Sequence, residues 1–246
     1  MTAAGGSLGR DKQPERIAGM FDAIAPRYDL LNHLLSGGLD VRWRTKAVRS
    51  LALRGGETVL DLCTGTADLA IASAIASPGA AAVVGVDFAR GMLRLGREKL
   101  ARRGLASRIR LVQGDAMRIP LASASVDAAT VAFGIRNVEQ PDTAFADVFR
   151  VLRPGGRFAI LEFGVPRVPG VRQAYLAYFR HVLPRVGSLI SGHASAYSYL
   201  PASVGTFPEP ARVMASLAAT GFSQVKADSL SLGIVYLYSA LKPDQR

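Results

Sequence analysis

The sequence predicts an α/β protein with a doubly wound, seven-stranded, mostly parallel sheet that ends in an antiparallel C-terminal hairpin. Five short apolar segments alternate with stretches of helical length, namely 58–62, 82–87, 109–115, 126–133 and 157–163. Such near-continuous apolar strands are typical of parallel sheets that helices cover on both faces. Two more strand candidates, 222–228 and 232–241, are joined by too few residues for a parallel crossover and must therefore pair antiparallel.

The remaining segments are predicted to be a tail and two helical regions. Residues 1–14 are small, polar and rich in glycine, which is typical of a disordered tail. Residues 15–54 are predicted to form an N-terminal helical lid with a break at 36–38, and residues 166–215 a helical insert or cap without strands. We expect residues 15–246 to form one domain. One face of the lid is predicted to carry the basic residues Arg42, Arg44, Lys46 and Arg49.

Composition and charge limit the class of protein. The chain has one cysteine, Cys63, no apolar run near the ~20 residues of a membrane span and no signal-peptide pattern, so we expect a cytoplasmic protein. The formal net charge of +11 suggests an anionic partner. No nucleic-acid-binding motif accompanies the arginines, so nucleic acid is not predicted, and transient contact with an anionic membrane surface is the alternative.

The loop after the first strand, residues 61–68, predicts the kind of cofactor. It has one glycine, Gly65, where a dinucleotide-binding loop has three. The side chains at 64–67 would crowd a pyrophosphate, which argues against NAD. S-Adenosylmethionine has no phosphate, and it needs acidic groups for its methionine end and its ribose hydroxyls and a polar contact for its adenine. This loop therefore favours S-adenosylmethionine.

Three aspartates follow three successive strands and are the predicted cofactor ligands. Asp61 is assigned to the methionine end, Asp87 to the ribose hydroxyls, and Asp115, with the Ala116 N–H, to the adenine. Because the carboxyl ends of parallel strands meet at one edge of a sheet, we expect the three acids to face one crevice. For each acid taken alone, a helix cap or a turn residue is the alternative. Their joint position beside Gly65 favours a cofactor site.

These motifs resemble the class I S-adenosylmethionine-dependent methyltransferases. More narrowly, the chain resembles the C-methyltransferases of quinone biosynthesis, the family of demethylmenaquinone methyltransferase and of the 2-polyprenyl-6-methoxy-benzoquinol methylase. The resemblance covers residues 15–243, with one signature in FDAIAPRYDLLNHLLSGGLDVRWR (21–44) and another in RVLRPGGRFAILEF (150–163). The sequence departs from the family pattern at four positions: Asp40, Ala132, Gly205 and Tyr238.

The resemblance implies cofactor contacts at Thr66, Asp87, Asp115 and Ala116. It also implies C-methylation of demethylmenaquinol, an isoprenoid quinol. The 2-methoxy-6-polyprenyl-1,4-benzoquinol of the ubiquinone pathway is the first alternative, and another aromatic or lipophilic small molecule is the second. A nucleic-acid-methylating protein ranks last, because the sequence has no acceptor-base motif of the Asn-Pro-Pro-Tyr type. The oligomeric state stays open, with a homodimer as one option.

Methylation of a quinol carbon requires groups that hold the quinol oxygen and assist its deprotonation. Arg136 and Asn137, after the fourth strand, and Tyr28, on the lid, are the predicted catalytic residues. Arg136 is too basic to accept a proton but can orient a water and stabilise a phenolate; a structural ion pair is its alternative. Asp29 and Asn32 share the lid helix and are predicted to contact the substrate, with simple packing as the alternative.

The insert is predicted to meet the rest of the substrate. Tyr197 and Tyr199 are expected to border the quinone head group or to belong to the core. The segment 171–190 is expected to form an apolar tunnel, a surface-lying face or an ordinary core helix pair. The three histidines lack the spacing of metal ligands, so no metal is predicted, and His193 is the histidine that we consider as a base.

Overall fold

The structure, a computed structural model, describes residues 14–76, 82–182 and 194–244. The predicted tail lies outside these residues except for Pro14, where the first helix begins. The strands are β1 (Thr58–Leu62), β2 (Ala82–Asp87), β3 (Ile109–Gln113), β4 (Val126–Ala132), β5 (Leu152–Phe163), β6 (Ser223–Leu230) and β7 (Val235–Leu241). The α-helices are α1 (Pro14–Leu35), α2 (Leu39–Ser50), α3 (Asp68–Ala76), α4 (Arg90–Arg102), α5 (Pro141–Val151), α6 (Val171–Ala177), α7 (Ala194–Thr206) and α8 (Pro210–Thr220).

The seven strands of the described residues form one sheet in the order β3-β2-β1-β4-β5-β7-β6. Strands β1 to β5 are parallel, and β7 is antiparallel to both β5 and β6. The chain runs outward from β1 to β3 and then returns to the other side of β1 with β4. A crevice opens where the direction changes, at the carboxyl ends of β1 and β4. The predicted fold class is confirmed.

Two strands begin at different residues from those predicted. β5 begins at Leu152 rather than at residue 157, because Leu152 pairs with Val126 and the residues that follow it form a bulge before the regular register resumes. β7 begins after a 3₁₀ turn at Ser231–Gly233, which occupies the start of the predicted strand. The other predicted strands agree with the observed ones to within two residues at each end.

Helices cover both faces of the sheet and bury an apolar layer on each. On one face α5 and α8 pack through side chains such as Phe145 and Leu217. On the other face α2, α3 and α4 pack through Ala47, Ile71 and Leu93. Burial of a side chain as large as Phe145 contributes about 1.5–3 kcal/mol. These layers fix the carboxyl ends of β1 and β4, on which the crevice depends.

Helix α1 crosses the crevice and is fastened to its far side. The Asp22 carboxylate accepts a hydrogen bond from the Gly91 N–H (2.8 Å) at the start of α4. A glycine turn separates α1 from α2, with φ +58° at Gly37 and +77° at Gly38, at the break predicted from the sequence.

No helix in the described part of the chain is long and apolar enough to cross a membrane.

Candidate active site

The loop between β1 and α3 approaches the end of β4 closely. Cys63, Gly65 and Ala67 have positive φ values, so the chain turns sharply three times before α3 begins. A Cβ atom on Gly134 would lie 2.3 Å from the Cβ of Cys63, so only glycine permits this approach. The Gly65 N–H donates a hydrogen bond to the Asp87 carboxylate (2.8 Å), which ties the loop to the end of β2.

The acids after β2 and β3 organise turns and also line a cavity. The Ala89 N–H donates to the second Asp87 oxygen (2.8 Å), and the Met117 N–H donates to Asp115 (2.8 Å). Burial raises the pKa of Asp87 above its ordinary value. Since a carboxylate has about four acceptor positions, both acids retain lone pairs for a ligand. The turn-residue interpretation and the ligand interpretation are therefore compatible.

We call this space the cofactor cavity; it encloses about 100 Å³. Its lining includes four of the six predicted cofactor residues, Gly65, Asp87, Asp115 and Ala116. Residues of α1, namely Ile17, Ala18, Phe21 and Tyr28, form one wall of it.

The two other predicted cofactor residues, Asp61 and Thr66, lie in an adjoining pocket of about 30 Å³. Asp61 is buried and accepts hydrogen bonds from the hydroxyls of Thr64 (2.6 Å) and Thr130 (2.9 Å). Burial raises its pKa to about 6. Arg44 and Asp68 line the same pocket, which therefore combines a cation with two carboxyl groups.

A second, larger space lies under α1, α2 and α6, and we call it the apolar cavity. It encloses about 340 Å³, and most of its wall is aliphatic or aromatic. Its apolar lining comprises Met20, Phe21, Ile24, Leu35, Leu39, Trp43, Phe133, Phe163, Val171, Ala174 and Ile234. Its polar and phenolic lining comprises Tyr28, Asn32, Ser36, Asp40, Arg44, Arg136, Tyr175 and Tyr178. Four of these residues, Val171, Ala174, Tyr175 and Tyr178, belong to the segment 171–190 that was predicted to form a tunnel.

The two cavities meet at Phe21, Tyr28 and Phe133, which line both. Tyr28 therefore stands at the junction, and burial raises the pKa of its hydroxyl despite a hydrogen bond with the Asn32 side chain. Asn32 lines the apolar cavity, as a substrate contact requires. Of these two residues of α1, Tyr28 lines both cavities and Asn32 lines the apolar cavity alone.

Arg136 lines the apolar cavity and is also part of a buried ion pair. One Nη nitrogen donates to Glu162 (2.8 Å) and to the carbonyl oxygen of Phe133, and Nε donates to the Ser203 hydroxyl (3.3 Å). Its second Nη makes no hydrogen bond within the described residues. The guanidinium lies 5.5 Å from the ring centroid of Phe163. The ion pair proposed as an alternative is present, and it still leaves one donor for the cavity.

The partner of Arg136, Glu162, was missed by sequence reasoning. It is the one charged residue in the strand segment 157–163 after Arg157, and a lone carboxylate in an apolar strand is a signal of a buried pair. Its side chain is fully buried. Besides the bond to the guanidinium, it accepts hydrogen bonds from the backbone N–H groups of Arg136 (3.2 Å) and Phe163 (2.9 Å).

Asn137 and Asp29 lie on the cofactor side. Asn137 lines the cofactor cavity, and its side-chain oxygen accepts a hydrogen bond from the Tyr199 hydroxyl (3.1 Å). Asp29 does not line the apolar cavity; it contacts the Thr66 hydroxyl (2.5 Å) and Lys99 Nζ (2.5 Å). The structure thus places Tyr199 against Asn137 of the cofactor cavity and Asp29 against Thr66 of the adjoining pocket. The side chain of Tyr197 and the whole of His193 lie outside the described residues.

Arg44 was predicted on the polar face of the lid, and that placement is wrong. Its side chain is buried, because α2 packs between the sheet and α1, and it makes an ion pair with Asp40 four residues earlier. His33 Nδ1 lies 2.7 Å from the same Asp40 carboxylate. The i,i+4 spacing of Asp40 and Arg44 was the available signal. Within the described ranges, no cluster of three His, Cys, Asp or Glu side chains has the arrangement of a metal site.

Known proteins resemble this chain over most of its length. The model of the ubiE/COQ5 methyltransferase family matches residues 10–242. The chain is 48% identical over 234 residues to the ubiquinone/menaquinone biosynthesis C-methyltransferase UbiE of Syntrophotalea carbinolica, covering 95% of each chain. It is 45% identical over 224 residues to the demethylmenaquinone methyltransferase of Thermus thermophilus, covering 91% of this chain and all of that one.

Solved structures resemble the fold at low sequence identity. The [4+2]-cyclase SpnF matches with a TM-score of 0.72 at 17% identity, over 95% of this chain and 97% of that one. An S-adenosylmethionine-dependent methyltransferase from Aquifex aeolicus matches with a TM-score of 0.56 at 18% identity, over 81% and 89%. Phosphoethanolamine N-methyltransferase 2 of Haemonchus contortus, solved with S-adenosyl-L-methionine, matches with 0.61 at 16% identity, over 82% and 52%.

Proposed function

Because this chain belongs to the ubiE/COQ5 methyltransferase family, a family of C-methyltransferases in quinone biosynthesis, we propose that it transfers a methyl group from S-adenosylmethionine to a ring carbon of demethylmenaquinol. The naphthoquinol is preferred because the Thermus relative, matched over its whole length, carries that name. The benzoquinol of the ubiquinone pathway is the alternative substrate. S-Adenosylmethionine, when bound, supplies the methyl group.

The observation that carries the proposal is the meeting of the two cavities. One is lined by acids at strand ends and by backbone N–H groups, which suits a polar nucleoside. The other is apolar and has few polar groups, which suits an aromatic ring with a hydrocarbon tail. They join at Tyr28 and Phe133, so a donor in one and an acceptor in the other face each other there. Holding both reactants in place is a large part of such catalysis.

We assign the cofactor contacts by the chemistry of each group. Asp87 would accept hydrogen bonds from the two ribose hydroxyls, and Asp115 and the Ala116 N–H would bind adenine. Gly65 and Thr66 would border the methionine end, and Asp61 would attract its ammonium group. The free lone pairs of the two half-buried acids, Asp87 and Asp115, support this fit.

The quinol would be held by residues of the apolar cavity. The unpaired Nη of Arg136 would stabilise the phenolate oxygen, while Glu162 keeps the guanidinium in place. Tyr28 would donate a hydrogen bond at the junction, since burial keeps its hydroxyl protonated. Asn137, which lines the cofactor cavity, would be held in place by the hydrogen bond that it accepts from Tyr199 of the insert.

We further propose that residues 15–54 act as a lid and 166–215 as a cap on one domain. The isoprenoid tail would leave the apolar cavity beside α6, because three residues of α6 and Tyr178, which follows it, line the wall of that cavity. Exposed leucines on α1 and α6, Leu30, Leu34 and Leu176, would then touch the membrane surface from which the quinol comes. Cosedimentation with anionic vesicles tests this contact, and a Leu34→Glu variant that sediments as well as the parent protein contradicts it.

The central experiment supplies methyl-labelled S-adenosylmethionine with reduced demethylmenaquinol or with the benzoquinol and follows the label by mass spectrometry. We expect label on the naphthoquinol. Label on the benzoquinol alone would replace the substrate assignment, and label on neither would refute the proposed function.

The cofactor assignment has its own test. Asp87→Asn should weaken S-adenosylmethionine binding at least tenfold in calorimetry, because the carboxylate loses its charge where hydroxyl donors bind. Asp127→Asn is the matched control. Asp127 is also a strand aspartate that accepts a backbone N–H, but it lies at the amino end of β4 and pairs with Arg153. Equal affinities in the two variants would contradict the assignment.

A further inference from the structure

Asp40 is the one carboxylate that lines the apolar cavity in the described part of the chain. It lies in the first turn of α2 and is 3% exposed. The Ser36 hydroxyl donates a hydrogen bond to one carboxylate oxygen (2.8 Å), and Arg44 pairs with the other. A buried acid against an apolar chamber carries a desolvation cost, which these partners offset.

Methyl transfer to a quinol carbon releases one proton, so the cavity requires an acceptor. The tyrosines on its wall, Tyr28, Tyr175 and Tyr178, do not serve, because burial raises the pKa of each hydroxyl. The two arginines are permanently protonated. Among the described residues this leaves Asp40 as the lining side chain that is a carboxylate and can accept the proton at neutral pH.

The charge state of Asp40 follows from its surroundings. Burial by itself would raise the pKa of the carboxyl, but the adjacent His33 side chain, the hydrogen bond from Ser36 and the charge of Arg44 outweigh it and hold the pKa below its ordinary value. Arg44 is itself held from the far side by Asp68, 3.7 Å away. The carboxylate is therefore ionised and fixed in direction.

A route to solvent begins at the same carboxylate. His33 Nδ1 lies 2.7 Å from Asp40 Oδ2, and the His33 side chain is 44% exposed. His33 belongs to the last turn of α1, so its ring reaches from the buried acid to the surface. A proton accepted in the cavity thus has one titratable group between it and water.

We propose that Asp40 accepts the hydroxyl proton of the quinol during methyl transfer and that His33 passes this proton to solvent. The inference rests on the proposed function, since it names the base for that reaction. Asp40 is then a catalytic residue that touches the substrate, and His33 is a positioning and relay residue that acts through it.

The step balances without another reactant. The ring carbon forms the C–CH₃ bond with its π electrons, and the S–CH₃ bond breaks with its electron pair going to sulfur. As this bond forms, the quinol oxygen gives electron density to the ring, which makes its O–H strongly acidic, so a carboxylate of low pKa is basic enough. Asp40 removes the proton in the same step, and the oxygen therefore has the phenolate character that Arg136 stabilises. The methylated carbon next loses its own hydrogen as a proton, and the oxygen regains one as the ring becomes aromatic. One proton is released in total.

The test compares three variants in single-turnover methylation of demethylmenaquinol. Asp40→Asn should reduce the rate about 100-fold, within the range for loss of a general base. His33→Ala should reduce it about tenfold, raise the solvent deuterium isotope effect and be restored by added imidazole, which can reach a half-exposed site. His181→Ala, which removes another exposed histidine, should leave the rate unchanged. S-Adenosylmethionine affinity should stay within twofold in all three.

Because Asp40 is buried, its variant can lose stability, and the His33 measurements then decide alone. The proposal is overturned if His33→Ala keeps the full rate, if imidazole does not restore it, or if its loss matches an equal loss of S-adenosylmethionine affinity. A parent protein that labels neither quinol refutes the proposed function instead, and that result is obtained before any variant is measured.

Discussion

The buried pair of Arg136 and Glu162 allows a prediction in which stability and catalysis separate. Replacing Glu162 by Gln keeps the shape of the side chain and removes its charge. The guanidinium of Arg136 then stays buried against Phe163 without a counter-ion. Gln can still accept one of the two backbone N–H bonds that end on the carboxylate, so the change is mainly electrostatic.

The magnitude follows from burial. Both side chains are almost completely buried, at 6% and 0% exposure for Arg136 and Glu162. Breaking such a pair from one side costs about 3–5 kcal/mol, because an uncompensated charge remains in a medium of low polarity. A domain of this size is stable by about 5–15 kcal/mol in all. Glu162→Gln should therefore lower the free energy of unfolding by a large fraction without preventing folding at low temperature.

Equilibrium unfolding in urea measures the loss, with an unchanged slope as the check that the transition stays two-state. Glu209→Gln is the matched control, since Glu209 also pairs with an arginine, Arg167, but at the exposed surface. We expect less than 1 kcal/mol there. The double variant Arg136→Met with Glu162→Leu should recover most of the stability and remain inactive.

A loss below 1 kcal/mol in Glu162→Gln would refute the argument, because it would mean that water reaches the pair or that the guanidinium finds another partner. An active double variant would refute the assigned role of Arg136 in holding the phenolate. The two results are independent of each other.

Three other changes have defined outcomes. Folding raises the pKa of Asp61 from 3.8 to about 6. The stability that this shift contributes is therefore fully present below pH 4 and is lost as the pH rises through 6, a loss of about 3 kcal/mol. Urea unfolding of Asp61→Asn should not show this loss. Lys242 donates to two carbonyl groups at the end of α5 (2.7 Å each), and Lys242→Met should cost about 2–4 kcal/mol in thermal unfolding while activity per folded molecule is unchanged. Asp29→Asn loosens α1 from the cofactor loop, so stopped-flow measurement should find faster release of S-adenosylmethionine, and an unchanged rate would contradict the lid.

The strands were predictable because parallel strands buried on both faces must be apolar along their whole length. The acids were predictable for a related reason: the end of each strand is fixed by its pattern, and topology brings those ends together at Asp87 and Asp115. The start of β5 was not predictable, because its Pro-Gly-Gly sequence is typical of a turn, and only pairing of Leu152 with Val126 makes it part of the sheet.

Buried charges were the part that local pattern did not reveal. Arg44 and Asp40 occur in a polar stretch of α2, and their burial depends on where α1 crosses them, which is a property of the tertiary packing. The same holds for the pairing of Arg136 with Glu162, which are 26 residues apart and meet only because β4 and β5 are neighbours. Pattern thus located the crevice, and long-range packing determined its electrostatics.

Helix α1 is a wall of both cavities, with Ile17 and Ala18 on the cofactor side and Met20 and Ile24 on the other. A ligand in either cavity therefore favours the same position of α1, packed over both cavities. By thermodynamic reciprocity, each ligand then strengthens the other by one common factor, whichever arrives first. A compound designed for the apolar cavity is accordingly best screened with S-adenosylhomocysteine present, since an assay on the empty protein would understate its affinity.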